Sequence, residues 1–204
     1  MQIQFTALFF ALLALVVALP TPIKRTTETT KIKTSAVKTS AAATATTAAA
    51  AATNATAAAA ATGAACPAFA LQDYSAFQIS DGTAGGAQAQ ANAVFVDPFA
   101  GCDLSTVDAT SLKNLQTMRL AAEAAETDQF NAQVAAASGA AATALQNGKI
   151  KNKVLKLTGE IQGLNIEAAQ GSDEASAIAT EQTKLTSNIA LDTTASGQTS
   201  TGVA

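Results

Sequence analysis

Between residues 147 and 171, apolar side chains recur at Ile150, Val154, Leu157, Ile161, Leu164 and Ala168, stepping by four and three alternately. That spacing stacks them on one side of a helix as an a/d seam sustained for three heptads. Leu155 and Ile166 widen the seam. Gly159 and Gly163 lie four apart within it, where a missing side chain lets a neighbour approach closely. At an exposed position each would instead cost about 1 kcal/mol against Ala. Gly171 marks the end of the segment.

A second periodic stretch precedes it, "STVDATSLKNLQTMRLAAEAAETDQFNAQVAAASG". Ser105 and Asp108 are good N-cap residues. Val107, Leu112, Leu115, Met118, Ala122 and Ala125 trace one stripe, and Phe130 and Val134 continue it after a break expected near Thr127-Asp128. Gly139 is the expected C-cap. A third unit follows the seam, with Ala175, Ile178, Leu185 and Ile189 on one face. Three amphipathic helices with short links predict an all-α fold, a small antiparallel up-down bundle over residues 103–192. Residues 193–204 read as a flexible tail. Pairing of the middle seam between chains is the competing arrangement, so the oligomeric state stays open.

Before the helices the pattern is different. Cys66 and Cys102 bracket a segment that holds Phe69, Tyr74, Phe77, Phe95 and Phe99. Two cysteines in a chain bound for an oxidising compartment predict one disulfide. "AFQIS" and "AVFVDPF" read as short strands or as apolar strips over a helix surface, and Gln88 to Phe95 reads equally well as helix. "DGTAGG" between them is turn chemistry. The aromatics are expected to cover the bundle core rather than to line a ligand pocket.

The N-terminus carries an apolar run from Phe5 to Val17, too short to span a bilayer and followed by Ala18 and Pro20. Residues 1–18 therefore read as a secretory signal peptide. Lys24-Arg25 is a dibasic pair suited to a kexin-type protease, which would make residues 19–25 a pro-segment. Residues 26–65 are mostly Thr, Ala, Ser and Lys, with a loose nine-residue repeat. Alanine favours helix, β-branched Thr disfavours it, and little here is worth burying. Clustered hydroxyls invite O-glycosylation, and Asn54-Ala55-Thr56 is an N-glycosylation acceptor. This is the composition of a glycosylated stalk. An ice-binding face is ruled out by geometry: nine residues turn the helix through about 900°, which puts successive threonines on opposite sides.

Composition narrows the chemistry. The 204 residues contain no His and carry a net charge of −3. The charge argues against an electrostatic grip on nucleic acid. Without His, the usual catalytic triads and most zinc sites are gone. No phosphate-binding glycine loop or nucleophile elbow is present. We accordingly expect no catalytic residues, no metal and no cofactor. Carboxylate pairs such as Glu123 with Glu126 read as a solvated helix face. Lys149, Lys151, Lys153 and Lys156 form the one charge cluster, read mainly as a solvated face and secondarily as a contact patch for an anionic polymer or partner. No second long apolar stretch exists, so no transmembrane segment is expected in the mature chain.

At "ALQNGKIKNKVLKLTGEIQGLNIEAAQ" and "FQISDGTAGGAQAQANAVFVDPF" the sequence resembles a family of fungal small secreted proteins of undefined activity. The likeness covers roughly Cys66 to Ala195. It implies a fungal source and secretion, and supplies no catalytic residues. The expectation that follows is a noncatalytic secreted protein, extracellular or held in the cell wall, contacting a wall polymer or a protein partner. Three alternatives stand beside it: a host-directed effector, an amphipathic binder of lipid or hydrophobic surfaces, and a carboxylate-dependent hydrolase.

Overall fold

A computed structural model describes residues 63–203. The expected signal segment, Lys24-Arg25, the Thr/Ala-rich stretch up to residue 62 and the expected Asn54 acceptor lie outside the described residues. What is described is mostly helical and is closed by a Cys66–Cys102 disulfide, with Cα atoms 4.9 Å apart. Strand β1 (Ala64–Ala65) enters beside it and runs parallel to β3 (Cys102–Asp103), with Ala64 opposite Cys102.

Within the disulfide loop, α1 (Tyr74–Phe77) leads through β2 (Gly82–Thr83) to α2 (Ala87–Phe95). The helical alternative for residues 88–95 is therefore the one adopted. Its reason is legible in the spacing: Ala87, Ala91 and Phe95 recur every four residues and all three are fully buried. The "DGTAGG" turn is present, and Gly82 and Gly85 hold the positive φ angles of 88° and 104° that side-chain-bearing residues resist. Phe69 stacks on Phe99 at 5.4 Å and on Phe95 at 6.3 Å, while Phe77 meets Phe95 edge-on at 6.0 Å. The aromatics thus form one buried cluster continuous with the helical core.

Helix α3 (Ala109–Ala124) starts where Asp108 caps the backbone amides of Thr110 and Ser111. Ser105 does not cap it. That residue belongs to a preceding 3-10 turn, Leu104–Thr106, capped by Asp103. No break follows at Thr127-Asp128. The chain instead widens into one π-helical stretch, Ala125–Phe130, and runs on as α4 (Asn131–Ala136). Gly139 is not a C-cap but the first residue of α5, and Ala137 closes α4.

The long helix α5 (Gly139–Ala169) is the centre of the molecule. It packs against α2, α3, α6 (Ala175–Thr194) and β4 (Thr199–Ser200). Ile150, Val154, Leu157 and Ile161 of the seam are buried, as are Leu155 and Ile166. Burial does not stop at the seam: Asn147, Lys151, Asn152, Thr158 and Gln162 are also buried. Helix α5 is thus enclosed on more than one side, with α2 from the disulfide loop supplying cover that the three periodic helices alone would lack. On α6 only Leu185 of the expected stripe is fully buried, with Ile178 and Ile189 half-buried and Ala175 exposed.

The stretch expected as a free tail is a packed strap. Helix α6 ends at Thr194, and β4 then pairs antiparallel with β2, Gly82 opposite Ser200. Thr201 N–H donates to the Ala144 carbonyl at 3.0 Å, and Asn147 Nδ2 donates to the Thr199 carbonyl at 2.9 Å. The strap crosses α5 at Gly148, where any Cβ would overlap the Thr201 carbonyl oxygen.

Candidate functional site

Residues singled out for chemistry are mostly occupied with holding the fold. Lys151 is 0 % exposed. Its ammonium donates to the backbone carbonyls of Asp81 at 2.8 Å and Thr83 at 3.1 Å. Burial pushes Lys151 below its ordinary 10.5, against the charges of Asp192 and Asp81. Asp192, buried at the end of α6, accepts from the amides of Gly85 and Ala87, both at 2.9 Å. One loop is therefore held through its carbonyls by a cation on α5 and through its amides by an anion on α6. The anion also satisfies an amide at the start of α2, where the helix dipole favours negative charge.

The four lysines do not form one patch. Lys151 points inward, while Lys156 and Lys153 reach Glu126 at 2.7 and 3.4 Å, leaving Lys149 half-buried outside these pairings. Glu126 sits in the π-helical stretch and is buried. Burial raises its carboxyl, but the two ammonium groups outweigh that and hold it below the usual range. Glu123 takes a different partner, Arg119 at 2.6 Å, and Arg119 also reaches Glu160 at 2.5 Å. Glu123 and Glu126 are thus assigned to separate ion pairs.

A third polar group lies beneath. Tyr74 donates its hydroxyl hydrogen to Asn152 Oδ1 at 2.8 Å, and Asn152 Nδ2 donates to the Ala122 carbonyl at 2.7 Å. Ala122 sits one turn before the π-helical stretch, where the regular hydrogen-bond ladder is perturbed and a side-chain donor is accepted. Burial raises the Tyr74 phenol above its ordinary value. Residue type alone gave no sign of Asn152 or Asp192. The available clue was polar residues interrupting otherwise apolar stripes.

Two concavities stand out among the described residues. An open recess of about 480 Å³ lies on the disulfide-closed segment, lined among others by Phe69, Phe77, Ile79, Ala93, Val94 and Pro98. A narrower cleft of about 180 Å³ runs between α3 and α5 beside Gly159 and Gly163, with Arg119, Glu160 and Glu167 at its edge. Gln116 Nε2 donates to Glu167 there at 2.7 Å. Among the described residues no three Cys, Asp or Glu side chains converge as a metal-holding group, and no helix is long and apolar enough to cross a membrane.

Together these features define a disulfide-closed helical domain wrapped round one largely buried helix, most of whose charged groups are paired within the fold. The chain belongs to the family described as Domain of unknown function (DUF8454), which it matches over residues 69–204. No curated protein and no solved structure matches it.

Proposed function

We propose that this is a noncatalytic secreted fungal protein, extracellular or wall-associated, in which a glycosylated Thr/Ala stalk, expected over residues 26–65 and shortened by the strand Ala64–Ala65 to end ahead of residue 63, carries an antiparallel helical bundle. It acts by contact, through adsorption to an apolar surface or a protein. The observation that supports this reading is the recess on the disulfide-closed segment. Its walls mix apolar side chains with polar backbone and amide atoms in about equal measure, with Ala93 exposed and Val94 and Ile79 half-buried, so the apolar share supports weak, reversible contact. Apolar surface left open to water gains about 25 cal/mol for every Å² covered, which favours adsorption without any directional chemistry. The expected signal segment, the dibasic pair and the resemblance to secreted fungal proteins support that location.

The test is partition of the intact protein onto alkyl-coated beads. Ala93→Asp puts a charge into the recess with little disturbance of the core, and Ala190→Asp puts one on the exposed side of α6. A severalfold loss of partition for Ala93→Asp alone is expected. Equal partition of both variants and the parent would refute adsorption through the recess. Fractionation of cultures between medium and wall checks the location, and retention of the protein inside cells would count against it.

A further inference from the structure

The loop Ser80–Ala87, the strap 198–202 and Lys151 are joined by a single set of contacts. Beyond the two carbonyls on Lys151 and the two amides on Asp192, Ala84 N–H donates to the Gln198 carbonyl at 3.0 Å and Gly197 N–H donates to the Ala84 carbonyl at 3.1 Å. The Ser200 hydroxyl donates to the Ser80 carbonyl, and Gly202 N–H donates to Asp81 Oδ1 at 2.8 Å. Ser80 and Ser200 are both buried. Lys151 is therefore held by backbone from about 70 residues before it, and that loop is held in turn by backbone from about 50 residues after it.

We propose that the loop and the strap form a hatch over Lys151 that opens as one unit while the α3–α5–α6 core stays folded. The physical reason is the ammonium itself. A buried charge costs several kcal/mol unless its surroundings replace water. Here the replacement is two carbonyls of the loop, and the loop is laced to the strap by the β2–β4 ladder and its flanking hydrogen bonds. Once the strap lifts, water reaches the ammonium, the carbonyls are no longer needed, and the loop loses its ladder partner at the same moment. Closing requires all of these contacts together, so intermediate states are disfavoured. Gly148 is the seat that lets the strap lie flat. This device is independent of the adsorption reading.

The experiment measures acylation of Lys151 in the intact protein by an amine reagent, mapped by mass spectrometry against the exposed Lys184, together with amide hydrogen exchange. In the parent, Lys151 reacts on the order of 100-fold more slowly than Lys184, because it reacts only from the open state. Ser200→Ala removes one hydroxyl bond between strap and loop. It should speed Lys151 acylation by roughly 5-fold, the effect of one hydrogen bond. Exchange at Gly85, Ala87, Thr201 and Gly202 should rise by the same factor while Leu155 is unchanged. Gly148→Ala should do the same more strongly. The proposal is overturned if Ser200→Ala leaves Lys151 acylation unchanged. Loosening of strap amides with Lys151 still protected also overturns it, as does release of Lys151 and Leu155 by equal factors.

Discussion

Gly159 and Gly163 sit one turn apart on α5, yet alanine should stabilise at one position and not at the other. In a helix interior Ala is favoured over Gly by about 1 kcal/mol. At Gly163 a Cβ would meet its nearest neighbour, Leu115 Cδ2, at 3.5 Å, an ordinary contact beside the α3–α5 cleft. Gly163→Ala should therefore stabilise by about 1 kcal/mol. At Gly159 the same atom would meet three carbons of the Phe95 ring at 3.0 to 3.2 Å. That ring is 0 % exposed and fixed by Phe69 and Phe77, so it has nowhere to go. Forcing an extra methyl into such a site costs about 1–3 kcal/mol, which cancels or exceeds the helical gain. Urea unfolding followed by circular dichroism measures both variants, with an unchanged slope required for the comparison. The predicted gap is about 2 kcal/mol, the overpacking cost at Gly159, because the helical gain applies at both sites and drops out of the difference. Stabilisation of both variants by the same amount would show that the Phe95 ring yields freely, and the description of the aromatic cluster as rigid packing would be wrong.

Other expectations follow from the bridge and the titrating groups. Replacing Cys66 and Cys102 together by Ala opens a loop with a sequence separation of 36, worth about 3.8 kcal/mol by chain entropy. The same urea assay reads this, and a loss under about 1 kcal/mol would mean that the segment stays compact when unfolded. Lys151 has a lowered folded value, so between that value and 10.5 the unfolded chain holds a proton that the folded chain lacks. Stability should rise with pH across that window, and Lys151→Met should abolish the rise. Tyr74, with its raised value, acts oppositely above 10, so the difference between parent and variant is the quantity to read. At the acid end Glu126, held below its ordinary 4.5, contributes fully above that pH and loses its contribution as pH falls through the folded value. Glu126→Gln should flatten the corresponding part of the acid unfolding curve.

The parts legible in the sequence were those decided by local pattern. The seam of α5, the Asp108 cap, the disulfide and the glycine turn each depend on residues close together in the chain or on cysteine count alone. Lys151 shows where local pattern stops. Its neighbours Lys149, Lys153 and Lys156 suggest a wetted face, and only the arrival of the loop carbonyls at residues 81 and 83 reverses that for one of the four. The strap itself is polar and rich in Ser, Thr and Gly, so nothing in its composition demands packing. The overlooked hint was Gly148, a helix-interior glycine that makes sense only if another backbone lies against it. The π-helical stretch was masked for a similar reason: Glu126 reads as surface until two lysines from α5 neutralise it. The recess has no signature at all, because it is a gap between elements rather than a residue type.

The position of the disulfide has a mechanical consequence. Tension applied to the chain ahead of Gly63 would arrive at Ala64–Ala65 and then at Cys66, where the covalent bridge passes it directly to Cys102. The 35 residues between the cysteines, with the aromatic cluster and the recess, lie off the line of force. A load applied between that end and the helices that follow Cys102 would thus enter at the start of α3 without running through the recess.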